Sequence, residues 1–380
     1  MAVLLREVVN QLCYDKFLIM KAVKYSAVIL LSYTMMIQSY GQDPNFSQFF
    51  SSPLNINPAL TANIKGKWRV ISNYRSQWIG PASPYNTGTI SFDDKIFQNV
   101  AGNYVDENTR VGIGGMMMYD QAMGGVLKSS YASFNVSGNI RLKEGRRMEL
   151  NGSRIRHNSH IKMDEGSEHR LGIGLGAIYG HKRIDFSKLT FGEQFTGFGF
   201  DTNLPSGEAA LSNMTPYVSA SAGILYSYVN ENTNFDLGVA AFHFNKPKQT
   251  VLNDDKQFLA SRYVIHGNFE TFLTDQVILN TNGVYQYQSA ASYFSIGGAL
   301  GYYLPNNEKD VIINAGLWYW SKNAMIPYLG FTYGNFQVGL TYDVTISGLR
   351  EASQKPKTFE LCLILRGDGK PDGIIPSPWK

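Results

Sequence analysis

Beyond Lys67 the apolar and polar positions alternate with a period of two over one short segment after another. In Phe336 to Thr345, the residues Phe336, Val338, Leu340, Tyr342 and Val344 alternate with Gln337, Gly339, Thr341, Asp343 and Thr345. Successive side chains of a strand point to opposite faces, so one face here is wholly apolar and the other small or polar. That pattern is expected where lipid lies outside a barrel and a wet or plugged lumen lies inside. Phe359, Leu361, Leu363 and Leu365 repeat it against Glu360, Cys362, Ile364 and Arg366, with Ile364 the exception.

Gly, Asn, Asp and Pro clusters separate these segments, and no amphipathic helix of useful length interrupts them. Strands are predicted at 67–75, 86–94, 110–119, 130–140, 170–180, 217–229, 233–244, 260–272, 276–286, 293–304, 310–320, 325–333, 336–345 and 357–366. The expected fold is therefore all-β, a transmembrane antiparallel β-barrel of about 14 strands, an even number as bacterial barrels prefer. In its second half the connections Asn230 to Asn232, Thr274-Asp275, Pro305 to Lys309 and Gly334-Asn335 are short and read as periplasmic turns. The longer segments His181 to Pro216 and Asn245 to Leu259 then face outward. Arg141 to Arg170 is a long, charged connection poor in apolar residues on the periplasmic side, and reads as a disordered segment or an ordered insertion rather than as strand.

Composition agrees with a barrel. Gly (37), Tyr (23) and Phe (22) are abundant and charged residues are only 17%, while a near-neutral mean hydropathy excludes a polytopic helical membrane protein. A formal charge of +4, dispersed over 380 residues, gives no concentrated basic face and so no reason to expect nucleic acid as a partner. The apolar run Tyr25 to Ile37 follows Lys21 and Lys24 and leads into Ser39-Tyr40-Gly41, which is the layout of a signal peptide. It is too short for a spanning helix, which needs roughly 20 residues. The expected organisation is a signal peptide over 1–41 with Met20 as an alternative start, an irregular segment over 42–66, the barrel over 67–366 and a tail over 367–380. Cys13 falls in the leader, so the mature chain keeps Cys362 alone and forms no internal disulfide.

Candidate chemistry is sparse. Gly172, Gly174 and Gly176 alternate with Leu171, Ile173, Leu175 and Ala177 inside a strand, so they form no phosphate loop. They read as a lumen wall that another backbone approaches, for instance an N-terminal segment inside the barrel. His157, His160 and His169 lack the spacing of a metal site, and His266 reads as a lumen or interface histidine. An enzyme acting on lipid or peptide would need a Ser, a His and an acid converging at the membrane boundary, and spacing nominates no such trio. No catalytic residue, metal or cofactor is expected.

Two segments carry more information. Asp43 to Leu60 holds Pro44, Pro53 and Pro58 with Phe46, Phe49, Phe50 and Leu54. The prolines preclude a regular helix or ladder strand, and the segment is too apolar for a free tail, so it folds back into the barrel mouth or meets a partner. The first strand ends Asn73-Tyr74-Arg75-Ser76-Gln77-Trp78. A buried Arg75 needs carboxylates. Asp343 and Glu360 face the lumen from the last two strands, which adjoin the first once a barrel closes.

These segments resemble the PorP/SprF family of type IX secretion system membrane proteins from Bacteroidetes. The resemblance lies in Gln42-Asp43-Pro44 with Phe46-Ser47-Gln48, Ser52-Pro53-Leu54, Asn57-Pro58-Ala59-Leu60 and Asn73 to Trp78. It continues through Asp185 to Leu189, Phe244 to Pro247, Arg262-Tyr263, His266-Gly267, Ile326 to Gly330, Tyr333 to Phe336, Leu340 to Val344 and Phe359 to Leu361. The resemblance implies an outer-membrane barrel without catalytic activity. It also implies work with secretion-ring proteins and a peptidoglycan-binding anchor, or help in exporting a gliding adhesin, with the mature N-terminus periplasmic. A porin-like solute channel is the alternative. The residues expected to bind a partner or to build the lumen are Asp43, Pro44, Phe46, Ser47, Gln48, Asn57, Pro58, Asn73, Arg75, Gln77, Trp78, Asp343 and Glu360.

Overall fold

In hydrocarbon no water satisfies a free backbone N–H or C=O, so a sheet that crosses a membrane must close on itself. The computed structural model does this with fourteen antiparallel strands, each paired with its neighbours in sequence and the first with the last. It describes residues 43–64, 66–80, 83–96, 109–144, 167–207, 214–230, 232–250, 257–304, 311–351 and 354–367. The expected signal peptide, nearly all of the tail and the middle of the charged stretch lie outside these residues. The strands are β1 (Trp68–Ile79), β2 (Tyr85–Ile96), β3 (Thr109–Ala122), β4 (Leu127–Glu144), β5 (Glu168–Ile184), β6 (Tyr217–Val229) and β7 (Thr233–Phe242). They continue as β8 (Arg262–Phe272), β9 (Val277–Gln288), β10 (Ala291–Leu304), β11 (Val311–Trp320), β12 (Ala324–Tyr333), β13 (Phe336–Thr345) and β14 (Lys357–Arg366). No described helix is long and apolar enough to cross a membrane.

The alternation read from the sequence sets the two faces. Along β13, Phe336, Leu340, Tyr342 and Val344 are exposed on the outer wall while Gln337, Thr341 and Asp343 are buried inside. Ile364, the residue that broke the pattern, packs in the lumen with Ile71 and Cys362. A band of Leu, Ile, Val, Phe and Tyr thus meets lipid from every strand, and the ten-residue strands β11 to β14 have the length a tilted span requires.

Three expectations need correction. Arg141 and Arg170 are not loop residues: β4 runs to Glu144 and β5 starts at Glu168, with Arg141 opposite Arg170. Their charges had masked the strand, and they are accommodated because both guanidinium groups turn to Glu168. At its other end β5 continues to Ile184, so the outer connection is shorter than His181 to Pro216. Short connections also occur at both mouths, since only Ser289-Ala290 and Ser321 to Asn323 separate strands at the mouth opposite the start of β1.

A charge on the outer band tests the assignment of faces. Leu329 is 64% exposed near the middle of β12, and Leu329→Arg is expected to destabilise the folded barrel by about 2–4 kcal/mol. Urea titration of protein refolded into lipid vesicles measures the change.

Candidate functional site: a lumen filled by the N-terminal segment

The segment from Asp43 to Ile64 occupies the lumen. Its prolines forbid long regular structure, and it folds as single turns at Phe49–Ser51, Pro53–Ile56 and Pro58–Leu60. These turns leave backbone groups unsatisfied, and the barrel wall supplies partners for them.

The densest contacts gather at Ser47-Gln48. The backbone N–H of Ser47 donates to Glu360 Oε2 at 2.7 Å and that of Gln48 to Glu360 Oε1 at 3.0 Å. The Ser47 hydroxyl donates to Asp343 Oδ1 at 2.7 Å. Arg75 then completes the cluster, its Nη2 on Asp343 Oδ2 at 2.8 Å and its Nη1 on Glu360 Oε2 at 3.2 Å, with Ser47 Oγ also in contact. Gln77 accepts from Arg75 Nε at 3.2 Å, and the guanidinium lies over the Trp320 ring at 5.0 Å. One cation, two carboxylates and two backbone donors thus share a site closed to water, where a lone charge would be costly. Asn73 extends the anchoring, its Nδ2 donating to the Ser51 carbonyl at 3.0 Å.

A second anchor holds the start of the segment. Asp43 Oδ2 lies 2.8 Å from His243 Nε2 and 3.2 Å from Arg262 Nε, and its backbone N–H donates to Gln288 Oε1 at 2.9 Å. Burial alone would raise the Asp43 carboxyl, but the charges of His243 and Arg262 outweigh it and hold the group well below the ordinary carboxylate range. His243 Nδ1 is in turn 2.6 Å from Ser219 Oγ. Hydroxyl, imidazole and carboxylate therefore line up as in acyl-transfer enzymes, a trio that spacing did not nominate. Ser219 is fully buried, however, and Arg262 competes for the same carboxylate oxygen. His243 thus links buried Ser219 to Asp43 and helps position the Asp43 carboxylate.

A third set fixes the far part of the segment. Asn57 Nδ2 donates to the carbonyls of Ile224 at 3.1 Å and Val239 at 3.3 Å and lies 3.0 Å from His266 Nε2, while its side-chain oxygen caps Ala59 N–H at 2.8 Å. Glycine makes the approach possible: a Cβ on Gly174 would stand 2.2 Å from Ala59 N, and one on Gly223 would stand 1.9 Å from Asn57 Oδ1. Pro58 thus lies against Gly174, whereas Gly172 and Gly176 accommodate the side chains of Asn139 and Asn135. Ala62 N–H donates to Asp93 Oδ2 at 2.8 Å, and Asp93 is held by Arg69 at 2.8 Å.

Apolar packing fills the intervening space. Phe49 and Ile56 join Phe242, Val284, Trp318, Trp320 and Tyr328, while Phe46 and Leu54 join Met116 and Met118. Pro44, whose carbonyl accepts from Asn55 Nδ2 at 3.4 Å, lines a cavity of about 30 Å³, and another cavity near Ile56 and His266 measures about 60 Å³. Such volumes suit a few waters.

Of the residues singled out in the sequence, Trp78 alone stands apart. It has a positive φ of 63°, is half exposed beside Tyr85 on the outer rim, and donates its N–H to Thr358. The sequence reading missed Asp93, His243, Arg262 and Gln288 as anchors. An alternating strand that buries an Arg or a His on its polar face, as β8 does with Arg262 and His266, was the available signal. Among the described residues no three His, Cys, Asp or Glu are placed to hold a metal.

A family model described as type IX secretion system membrane protein PorP/SprF matches residues 38–365. No curated protein matches the chain significantly. Among solved structures, the Ralstonia pickettii toluene transporter TbuX is 10% identical, covering 82% of this chain and 92% of that one at a TM-score of 0.42. CdiB from Escherichia coli is 9% identical, covering 78% and 63% at a TM-score of 0.38. The translocator domain of the autotransporter NalP from Neisseria meningitidis is 10% identical, covering 83% and 94% at a TM-score of 0.33.

Removing Arg75 tests the main anchor. Arg75→Ala leaves two buried carboxylates without their cation and is expected to cost about 3–5 kcal/mol, read as a lower urea midpoint together with faster protease cleavage between residues 43 and 64. Combining Arg75→Met with Asp343→Asn and Glu360→Gln is expected to restore part of the loss, because no unpaired charge then remains.

Proposed function

Because the chain belongs to the PorP/SprF family of type IX secretion system membrane proteins, we propose that it is a non-catalytic outer-membrane component of that machinery, a closed and rigid docking platform. The observation that carries this reading is the occupied lumen. A segment fixed at Asp43, Ser47-Gln48, Asn57 and Ala62 fills the space that a solute channel would keep open. Docking requires shape and hydrogen-bonding surface, not a reactive centre.

The mouth where β1 begins and β14 ends faces the periplasm in this reading, and the long connections 185–216 and 243–261 face outward. The periplasmic rim then meets the ring proteins and the peptidoglycan anchor, or the barrel assists export of one surface adhesin. The start of the lumenal segment has a definite place in this orientation. Asp43 meets Arg262 and Gln288, at the start of β8 and the end of β9, and so lies toward the outward mouth. The chain reaches β1 by running back through the lumen.

Purification of a tagged barrel from its native membrane tests the proposal. Co-purification of ring and anchor proteins is expected for a part of the general machine, and co-purification of one large adhesin for a cargo-specific helper. Recovery of neither contradicts docking.

A further inference from the structure

The connection between β5 and β6 carries a preformed aromatic finger. Phe195 and Phe200 pair as an antiparallel bridge with their rings 5.2 Å apart. Thr196 N–H donates to the Gly199 carbonyl at 2.9 Å and Asp201 N–H to the Gln194 carbonyl at 2.9 Å. Gly197 and Gly199 have φ of +85° and +153°, values that side chains rarely allow, and between them they turn Phe198 outward. The base is fixed by Gln194, which is buried, donates Nε2 to the Leu204 carbonyl at 2.9 Å and accepts Phe191 N–H at 3.0 Å. Phe198 is fully exposed at 104% and Phe195 and Phe200 are each 54% exposed. Three aromatic rings held in water by a rigid turn are unusual on a surface that only needs to be soluble.

Lipid is one possible neighbour and a polypeptide another, and two observations favour the polypeptide. The last pair of β5 with β6 is Gly180 with Tyr217, yet β5 runs on to Ile184. At roughly 3.3 Å per residue that lifts the root of the connection about 13 Å beyond this pair. The rim of the finger is also acidic. Glu193 and Asp201 are exposed beside it, while the nearby Lys188 turns away to the Gly124 carbonyl at 3.3 Å. An anionic membrane surface repels such a rim, whereas a basic protein surface complements it. A rigid aromatic at the centre of a charged rim is the usual form of a binding anchor.

We propose that the finger Phe195 to Phe200 docks a partner polypeptide that offers an apolar cleft bordered by Lys and Arg side chains. This inference does not depend on which proteins meet the opposite mouth. Replacing Phe198 by the photoreactive p-benzoylphenylalanine in living cells tests it, with Asn203 of the same connection as the control position. Both sites are exposed, and the slower gel migration of the heated barrel confirms that the variants fold. Irradiation is expected to give one major polypeptide adduct from position 198 and little from 203, the labelled peptide combining apolar residues with adjacent Lys or Arg. Adding Glu193→Lys is expected to reduce the adduct at least tenfold. Label on lipopolysaccharide, on this chain itself, on a partner without basic residues or on many proteins alike would overturn the proposal, as would no adduct or no effect of Glu193→Lys.

Discussion

A guanidinium group sealed from water needs its charge answered on the spot, and the way Arg75 is answered organises this protein. Its partners Asp343 and Glu360 stand on the last two strands, so the pairing is possible only when the barrel has closed and β1 lies against β14 in the register that sets Arg75 opposite Glu360. The same carboxylates accept the backbone N–H groups of Ser47 and Gln48 and the Ser47 hydroxyl. Closure of the sheet and seating of the lumenal segment therefore stabilise one another through the same two carboxylates. Neither carboxylate is satisfied without both the strand and the segment.

The rest of the lumen follows the same logic on a smaller scale. The segment cannot form a regular helix, because its prolines interrupt the ladder of donors, so its polar groups must be met by the wall. Asn73, His266, Asp93 and Arg262 do this from three different strands, β1, β8 and β2. Phe46, Phe49, Leu54 and Ile56 fill the gaps between these polar contacts. The inside of the barrel thus resembles the core of a soluble protein more than a pore, and packing of that kind transmits a push on the segment to the wall without much loss.

Much of the fold was legible because a period of two in hydrophobicity has few physical causes. All fourteen predicted strands appear, and the Ile364 exception marks a local apolar contact with Ile71. What failed to show was charge used as structure. Arg141, Glu168 and Arg170 read as loop because a strand in lipid cannot present them outward, yet they extend β4 and β5 by turning inward upon one another. Within the site, Arg75, Asp343 and Glu360 were readable since closure of any barrel joins first and last strands. Asp43 with His243 and Arg262 was not, because nothing in local spacing says where along the lumen a flexible segment comes to rest. Trp78 shares the outer face of β1 with exposed Tyr74, whereas Asn73 and Arg75 of the same motif face inward.

Closure of the lumen by the segment separates a docking barrel from a solute channel, and ion conductance through the whole protein in a planar bilayer measures this directly. The packed segment predicts a flat baseline across physiological voltages, with at most brief and irregular openings. Steady, large, ion-selective currents from the unmodified barrel would contradict it and would return the protein to the class of solute channels.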